Sequence, residues 1–460
     1  MRSPRFISFY LLVVWLANLG LLSSFANADS PPNILLIVAD DLGWSDVGWH
    51  SGFAKTPNLD RLVREGVELD RHYVQPVCTP TRTALMSGRY PGRFGPQALA
   101  PSNLRAMPLG TVTLASFLKS KGYRTHLSGK WHLGARQEWI PNKYGFDTSY
   151  GTLTGAADPW THKYRAGNPY EDTWHRDGSL FQEEGNATEL IAAEAVRRIE
   201  ESKGPWFVYV PFHAVHTPVD APQKYKELYR DAKFSPDSAK NESRQRMAAM
   251  VSQLDDKVSE LVSAVEKKGE LNNTLVIFTS DNGGIESLKN AYVGTVPDSP
   301  LNSENDPLRG QKNTLYEGGT RVCAFAYWPG KLKPHRSLSP MHCVDWLPTI
   351  ADMLDDDQHP DSQWDGVSRW NTLLTGEFEE RNRPIYISKG ATQSLHWNGW
   401  KIIARENGKT ELYHLEVDPF EKQDLTKKQP EKLHELKLLL AEQKKLDLDK
   451  MPADLVGLPH

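Results

Sequence analysis

The sequence predicts an α/β sandwich, a large mixed and mainly parallel sheet between helices, with a small α+β unit at its carboxyl end. Three observations carry this reading. Asn33–Ala39 and the stretches 205–210 and 274–279 are short, continuously apolar runs rich in branched or aromatic side chains, the pattern of strands buried on both faces. Helical patterns, 189–202 and 246–267 among them, alternate with these runs, as a sheet clad in helices on both faces requires. After Leu374 the pattern shifts to shorter strand candidates at 384–388, 400–405 and 411–415, separated by turn residues.

The first of these strands follows a different kind of segment. Arg2 and Arg5 precede an apolar run at 6–25, and Ala26, Asn27 and Ala28 form a small-x-small cleavage site, so 1–28 reads as a signal peptide. An uncleaved anchor is the alternative for a run of this length, but Asn18, Gly20 and the cleavage site favour removal. The mature chain is then expected in the periplasm or outside the cell, with no membrane attachment. Residues 29–374 are expected to form the main domain, and 375–460 a small one. In the small domain an antiparallel meander precedes a helix from Pro430, whose Leu433, Leu436 and Leu440 share one stripe.

The 460 residues are 39% apolar, enough for one large core and a smaller appendage. A formal net charge of −4 with no basic stripe excludes nucleic acid or an anionic membrane as the main partner, so any anion recognition is local. Only Cys78, Cys323 and Cys343 are present, too few for a disulfide scaffold in an oxidising compartment, and one is left odd if the other two pair.

Chemistry-bearing residues gather at strand ends. Asp40 and Asp41 close the first buried run, and Asp281 and Asn282 close the run at 274–279, followed by Gly283 and Gly284. Ligand sites in open α/β sheets form at such ends. Three carboxylates and an amide converging there repel one another unless a cation sits between them, and all-oxygen ligation suits Ca²⁺ or Mg²⁺ rather than zinc. Capping and turn formation are the plainer use of each pair alone. Between the pairs, Pro80 suits the first turn of a helix running through Met86, which puts Cys78 at the amino end, where backbone N–H groups and the dipole favour an anion. Arg82 is expected to add a planar fork for oxyanions.

The string from Cys78 to Arg89 closely resembles the sulfatase signature, in which a maturation enzyme reads Cys-x-Pro-x-Arg and oxidises the cysteine to formylglycine. Further blocks match the family in order: Asp40-Asp41-Leu42-Gly43, Gly129 to Gly134, His216-Thr217-Pro218, Ser280 to Gly284, and Gly310-Gln311-Lys312 through Gly319; the tail 411–421 is also similar. The resemblance implies an alkaline-phosphatase-like fold and hydrolysis of sulfate monoesters. It implies one Ca²⁺ per chain on Asp40, Asp41, Asp281 and Asn282, completed by oxidised Cys78. Arg82 and Lys130 would hold the hydrated aldehyde, His132 would take its proton, and His216 and Lys312 would contact sulfate and serve the leaving oxygen. The implied partners are the formylglycine-generating enzyme and a sulfated carbohydrate or aryl sulfate. Alternatives within this resemblance are a phosphonate or phosphate ester hydrolase and a non-catalytic glycan-binding relative.

Two positions depart from the family. Thr81 stands where Ser is usual, outside the fixed positions of the maturation motif, and Cys323 follows Arg321-Val322 where Pro is common, leaving Cys323 and Cys343 as a disulfide or two buried thiols. His213 lies three residues before His216 and competes for its role, though His216 has the family's spacing to proline. The segment 158–176, rich in Trp, Tyr, His and Arg, is a candidate for stacking on a sulfated sugar, with a packed surface loop as the alternative.

Overall fold

The structure, a computed structural model, describes residues 30–286, 302–356 and 363–459; the expected signal peptide at 1–28 lies outside them. The strands are β1 (Asn33–Ala39), β2 (Val67–Leu69), β3 (His72–Tyr73), β4 (Arg124–Lys130), β5 (Thr148–Thr152), β6 (Trp174–Arg176), β7 (Ser179–Leu180), β8 (Trp206–Pro211), β9 (Thr274–Ser280), β10 (Ala324–Tyr327), β11 (His335–Ser337), β12 (Met341–His342), β13 (Ile385–Lys389), β14 (Thr392–Trp397), β15 (Trp400–Ala404) and β16 (Thr410–His414). The helices used below are α1 (Pro57–Glu65), α2 (Cys78–Ser87), α3 (Ala187–Glu201), α4 (Ser238–Lys267), α5 (Trp346–Met353) and α6 (Pro430–Lys445).

One ten-stranded sheet runs β11-β2-β10-β9-β1-β8-β4-β5-β6-β7. Its centre is parallel: β1 pairs with β9 from Asn33 opposite Thr274 to Ala39 opposite Ser280, and on its other side with β8, which pairs with β4. Antiparallel β10 and β6 flank this parallel centre. Every residue of β1 is buried, because its alternate side chains enter two cores. Leu35, Ile37 and Ala39 pack with α1, α3 and α4, whereas Ile34, Leu36 and Val38 share a core with Ala84, Leu85 and Met86 of α2 and with α5. A continuous apolar run is therefore what β1 needs, and the five parallel strands β9, β1, β8, β4 and β5 end on one rim.

The small sheet is the antiparallel meander β13-β14-β15-β16. One face, with Leu395, Ile402 and Leu412, receives Leu436 and Leu440 of α6 and joins the main core; the other, with Ile385, Ile387 and Ile403, packs on Tyr73 and Leu315. Between the small sheet and the loop that follows Leu315 lies a buried charge cluster. Lys401 donates to Glu317 at 2.9 Å and sits 2.8 Å from Glu421, while Tyr73 donates to the second oxygen of Glu317 at 3.1 Å. Burial, only partly offset by Lys401, pushes the Glu421 carboxyl up to about 7.

Several elements depart from the sequence reading, each for a physical reason. α4 begins at Ser238, capped by Asp237, because its first turns are polar and carry no apolar period. β14 escaped the pattern because Gln393, Ser394 and His396 are buried polar residues in a strand paired on both sides. Cys78, Cys323 and Cys343 are all free buried thiols, so the disulfide option for Cys323 and Cys343 is excluded. Among the described residues, no helix is long and apolar enough to cross a membrane.

Candidate active site

The rim formed by the ends of β9, β1, β8 and β4 carries the acids and cations. Asp281 N–H bonds to Ala39 O and Asp40 N–H to Ala214 O, each at 3.0 Å, so the ladder fixes these backbones past the strands. Asp41 turns into the left-handed region at φ 63°, which Asp tolerates better than most residues, and donates from its N–H to Asp281 Oδ1 at 3.2 Å. The glycines after Asn282 are needed for close approach: a Cβ on Gly283 would lie 1.8 Å from Gly318 O, and one on Gly284 would lie 1.7 Å from Ser303 Oγ. That tight turn brings in the Lys312 loop, whose Lys312 N–H donates to Gly284 O at 3.1 Å.

The charges interlock. Lys130 Nζ donates to Asp40 Oδ2 at 2.5 Å, and Lys312 Nζ donates to Asp41 Oδ1 at 2.6 Å. Arg82 donates through Nε and Nη2 to Asp281 Oδ2 at 3.1 and 2.8 Å, and through Nη1 to Lys130 O at 3.0 Å. Its fork is thus engaged by a carboxylate and a carbonyl inside the protein, not presented to the pocket as a helix-based reading suggested. Asn282 Nδ2 donates to Asp41 Oδ1 at 2.7 Å and to Gly283 O at 3.0 Å.

Three oxygens are left over. Asp40 Oδ1, Asp41 Oδ2 and Asn282 Oδ1 are buried without a hydrogen-bond partner, on side chains between 0% and 3% exposed. Buried acceptors without partners are rare and call for an explanation. An oxygen-only set with surplus acceptor capacity fits a hard cation such as Ca²⁺. Asp40, Asp41 and His216 also present ligand-type atoms within 4.8 Å of one another, so the structure brings to this cluster a histidine outside the expected ligand set; its Nε2 lies 3.6 Å from Asp41 Oδ2. Burial raises the Asp40 carboxyl, but Lys130, then His216 and Arg82, outweigh it and hold Asp40 below its ordinary value. Burial, with Asp40 adding to it, leaves Asp281 raised.

Cys78 is the first residue of α2 and 2% exposed. Cys78, His132, His216 and Lys312 line one pocket of about 310 Å³, with Tyr164 and Arg165 on its wall. Arg82 and Lys130 are fully buried behind it. Burial raises the Cys78 thiol more than Lys130 and Lys312 lower it. Burial, then Lys130 and Arg82, holds His132 well below its ordinary value, so the ring is neutral; its Nδ1 is buried without a partner. Gly155 leaves room for that ring, since a Cβ there would lie 2.4 Å from Nε2. Burial also lowers His216, against the pull of Asp41. Burial works against the charge of Lys312, but Asp41 outweighs it and keeps Lys312 protonated.

His213 is outside the pocket lining and bonds Thr152 Oγ1 at 2.6 Å, leaving the pocket to His216. Of the aromatic segment 158–176, only Tyr164 and Arg165 reach this pocket. Trp174 stacks on His162 with centroids 4.3 Å apart, Trp160 donates to Asp220 at 2.9 Å and Arg176 donates to Glu194 at 2.9 Å. Most of that stretch is packed surface. Ser102 and Asn103, which also line the pocket, were missed by sequence reasoning because no motif or periodicity marks them.

Comparison with known proteins agrees with this arrangement. The family model described as Sulfatase matches residues 32–356. Arylsulfatase J of Mus musculus is 36% identical over 363 residues, 75% of this chain and 56% of that protein, so the chain spans little more than half the length of this relative. N-acetylgalactosamine-6-sulfatase of Mus musculus is 32% identical over 404 residues, 83% of this chain and 73% of that protein. The crystal structure of Ps i-CgsB in complex with k-i-k-neocarrahexaose is similar at TM-score 0.81 and 29% identity, covering 92% of this chain and 94% of that one.

Proposed function

We propose that this chain, which belongs to the sulfatase family, hydrolyses sulfate monoesters of carbohydrates with position 78 as its nucleophile, after export from the cytoplasm. The observation that carries the reading is the pocket floor: a reactive position at a helix amino end, ringed by His132, His216 and Lys312, with oxygens lacking partners behind it. Residues 29–374 form the catalytic unit, and 375–460 wall the loop that bears Lys312. The substrate class is supported by the relative named N-acetylgalactosamine-6-sulfatase and by the similar protein that holds a neocarrahexaose.

An unmodified thiol is poorly suited to the task, since burial keeps Cys78 protonated and a thiol is a weak nucleophile compared with its thiolate. Oxidised to formylglycine by a maturation enzyme, position 78 would supply a hydrated aldehyde, one hydroxyl attacking sulfur as the ester S–O bond breaks, the other losing its proton to restore the aldehyde and expel sulfate. Neutral His132 accepts that proton. Lys312, firmly protonated, and His216 face sulfate oxygens and the departing sugar oxygen, which needs a proton because a sugar alkoxide is a poor leaving group. Lys130 and Arg82 act from behind, offsetting negative charge as it builds at position 78. Asp40, Asp41, Asp281 and Asn282, with position 78, would hold one Ca²⁺, which would neutralise sulfate oxygens.

Turnover of nitrophenyl sulfate and sulfated sugars, set against the matching phosphate and phosphonate esters, tests the reaction. Faster cleavage of phosphate or phosphonate would replace the sulfatase reading with the ester-hydrolase alternative. Peptide mass spectrometry of active protein should find the aldehyde or its hydrate at position 78; unmodified thiol there would overturn the mechanism.

A further inference from the structure

Among the described residues lining the pocket, two keep a buried polar atom without a hydrogen-bond partner: His132 through Nδ1 and Asn103 through Oδ1. The proposed reaction gives His132 its task as base and leaves Asn103 with none. Asn103 is 2% exposed, and a buried amide acceptor left unpaired is costly. Folding gives this oxygen no other use. A loop asparagine commonly closes a turn by accepting from its own backbone two residues on, but Oδ1 accepts nothing here, and Leu104 N–H donates instead to Ser102 Oγ at 3.1 Å.

What the fold does supply is a fixed position. Ser102 N–H donates to Thr79 Oγ1 at 3.2 Å, in the first turn of α2, whose first residue is Cys78. Ala135 N–H donates to Asn103 O at 2.8 Å and Ala106 N–H to Leu133 O at 3.2 Å, which laces 103–106 to the loop that carries His132. Gly134 permits this lacing: its φ is 139°, and a Cβ there would lie 3.2 Å from Arg105 Cα. Asn103 is therefore tied to the nucleophile's helix on one side and to the base's loop on the other.

We infer that Asn103 is a specificity-determining residue that hydrogen-bonds the sugar hydroxyl nearest the scissile ester. This rests on the proposed desulfation of a carbohydrate and deepens it: the substrate class becomes a sulfated sugar with a free hydroxyl close to the sulfate-bearing carbon. Sugars substituted at that hydroxyl, and aryl sulfates, lose the contact. A hydroxyl both donates and accepts, so it satisfies the amide whichever way its plane is turned. A site built to bond a hydroxyl rejects the analogue lacking it, because the polar group of the site is then left buried and unpaired.

The test measures kcat/KM of the matured enzyme on a sulfated monosaccharide that it cleaves, on the mono-deoxy analogues of that sugar, and on nitrophenyl sulfate. In the wild type, removing the hydroxyl nearest the ester should lower kcat/KM by at least about tenfold. Asn103→Ala should turn over the parent sugar and that analogue alike, falling roughly tenfold on the parent and less on nitrophenyl sulfate. Asn103→Leu, which fills the space without a polar atom, should match it, so that a lost hydrogen bond is told from a lost contact. An amide that serves only the wall would slow parent and analogue equally when replaced. That result, or a wild type indifferent to the missing hydroxyl, overturns the inference while leaving the sulfatase reading intact. The wild-type comparison needs no variant, so it can overturn the inference even where a substitution impairs folding. Cleavage of nitrophenyl sulfate alone overturns the carbohydrate reading and the inference with it, and failure to cleave any sulfate ester overturns the sulfatase reading itself.

Discussion

Two clusters of buried charge lie at the two ends of the segment from Lys312 to Glu317, and they are finished differently. Beneath the pocket, Asp40, Asp41 and Asp281 meet Lys130, Lys312 and Arg82, yet three acceptor oxygens there have no partner. Under the small sheet, Glu317 and Glu421 share Lys401, an excess of acid, yet every carboxylate oxygen lies within 3.1 Å of a donor. Lys401 meets Glu421 Oε1 as an ion pair at 2.8 Å, and that oxygen is the one acceptor of this cluster without a hydrogen-bond partner, against three beneath the pocket. Buried charge by itself therefore does not distinguish a working site from a structural one. Several surplus acceptors gathered at one place do, since a chain selected only for stability has every reason to satisfy them.

The sharpest way to separate the clusters is to break each in turn. Cys78→Ala should lower sulfate ester turnover by at least about 10³-fold while leaving the denaturation curve near that of the wild type. Lys401→Met should do the reverse. It strands two buried carboxylates, so chemical denaturation should show a loss of about 3–5 kcal/mol, with turnover per folded molecule retained. A loss below about 1 kcal/mol would mean that water reaches this cluster and that the comparison is drawn too strongly.

Calcium offers a gentler contrast. At a hundredfold excess over its Kd, Ca²⁺ should stabilise the wild type by about 2.7 kcal/mol, stabilise Lys401→Met equally and do little for Asp41→Ala. Calorimetric scans with and without the ion measure all three. The smallest effect is one of pH. Glu421 is raised to about 7 from an ordinary 4.5, so the folded chain holds this proton more tightly than the unfolded one. Its favourable contribution is complete below 4.5 and is lost as pH rises towards 7. Between pH 5.5 and 6.5 the wild type should therefore lose up to about 1.4 kcal/mol relative to Glu421→Gln, read from denaturation midpoints.

Much of this was legible in the chain itself because it depended on local pattern. Asp40 and Asp281 end apolar runs, and strands buried on both faces announce themselves by such runs; Pro80 placed Cys78 at a helix start for reasons internal to one turn. What escaped was set by partners distant in sequence. Helical spacing could not say which way Arg82 would turn, because Asp281, 199 residues later, decides it. The aromatic stretch at 158–176 was correctly marked as rich in contact chemistry, yet which of its side chains meet the pocket depends on how Glu171 closes the loop and on where Asp220 and Glu194 draw Trp160 and Arg176. Asn103 had no signal at all, since one amide between turns differs from any other until its surroundings are known.

The pairing of β1 with β9 also sets a timetable. Residues as far apart as Arg82 and Asp281 complete one site, separated by 199 residues of chain. At synthesis rates of roughly 5–20 residues per second, the later partner emerges roughly 10–40 s after the earlier one. Throughout that interval β1 has no β9 to pair with, and the helix that begins at Cys78 cannot be sealed beneath the finished rim. The newborn chain thus keeps open, for a span fixed by its own topology, the residue that the finished fold leaves 2% exposed.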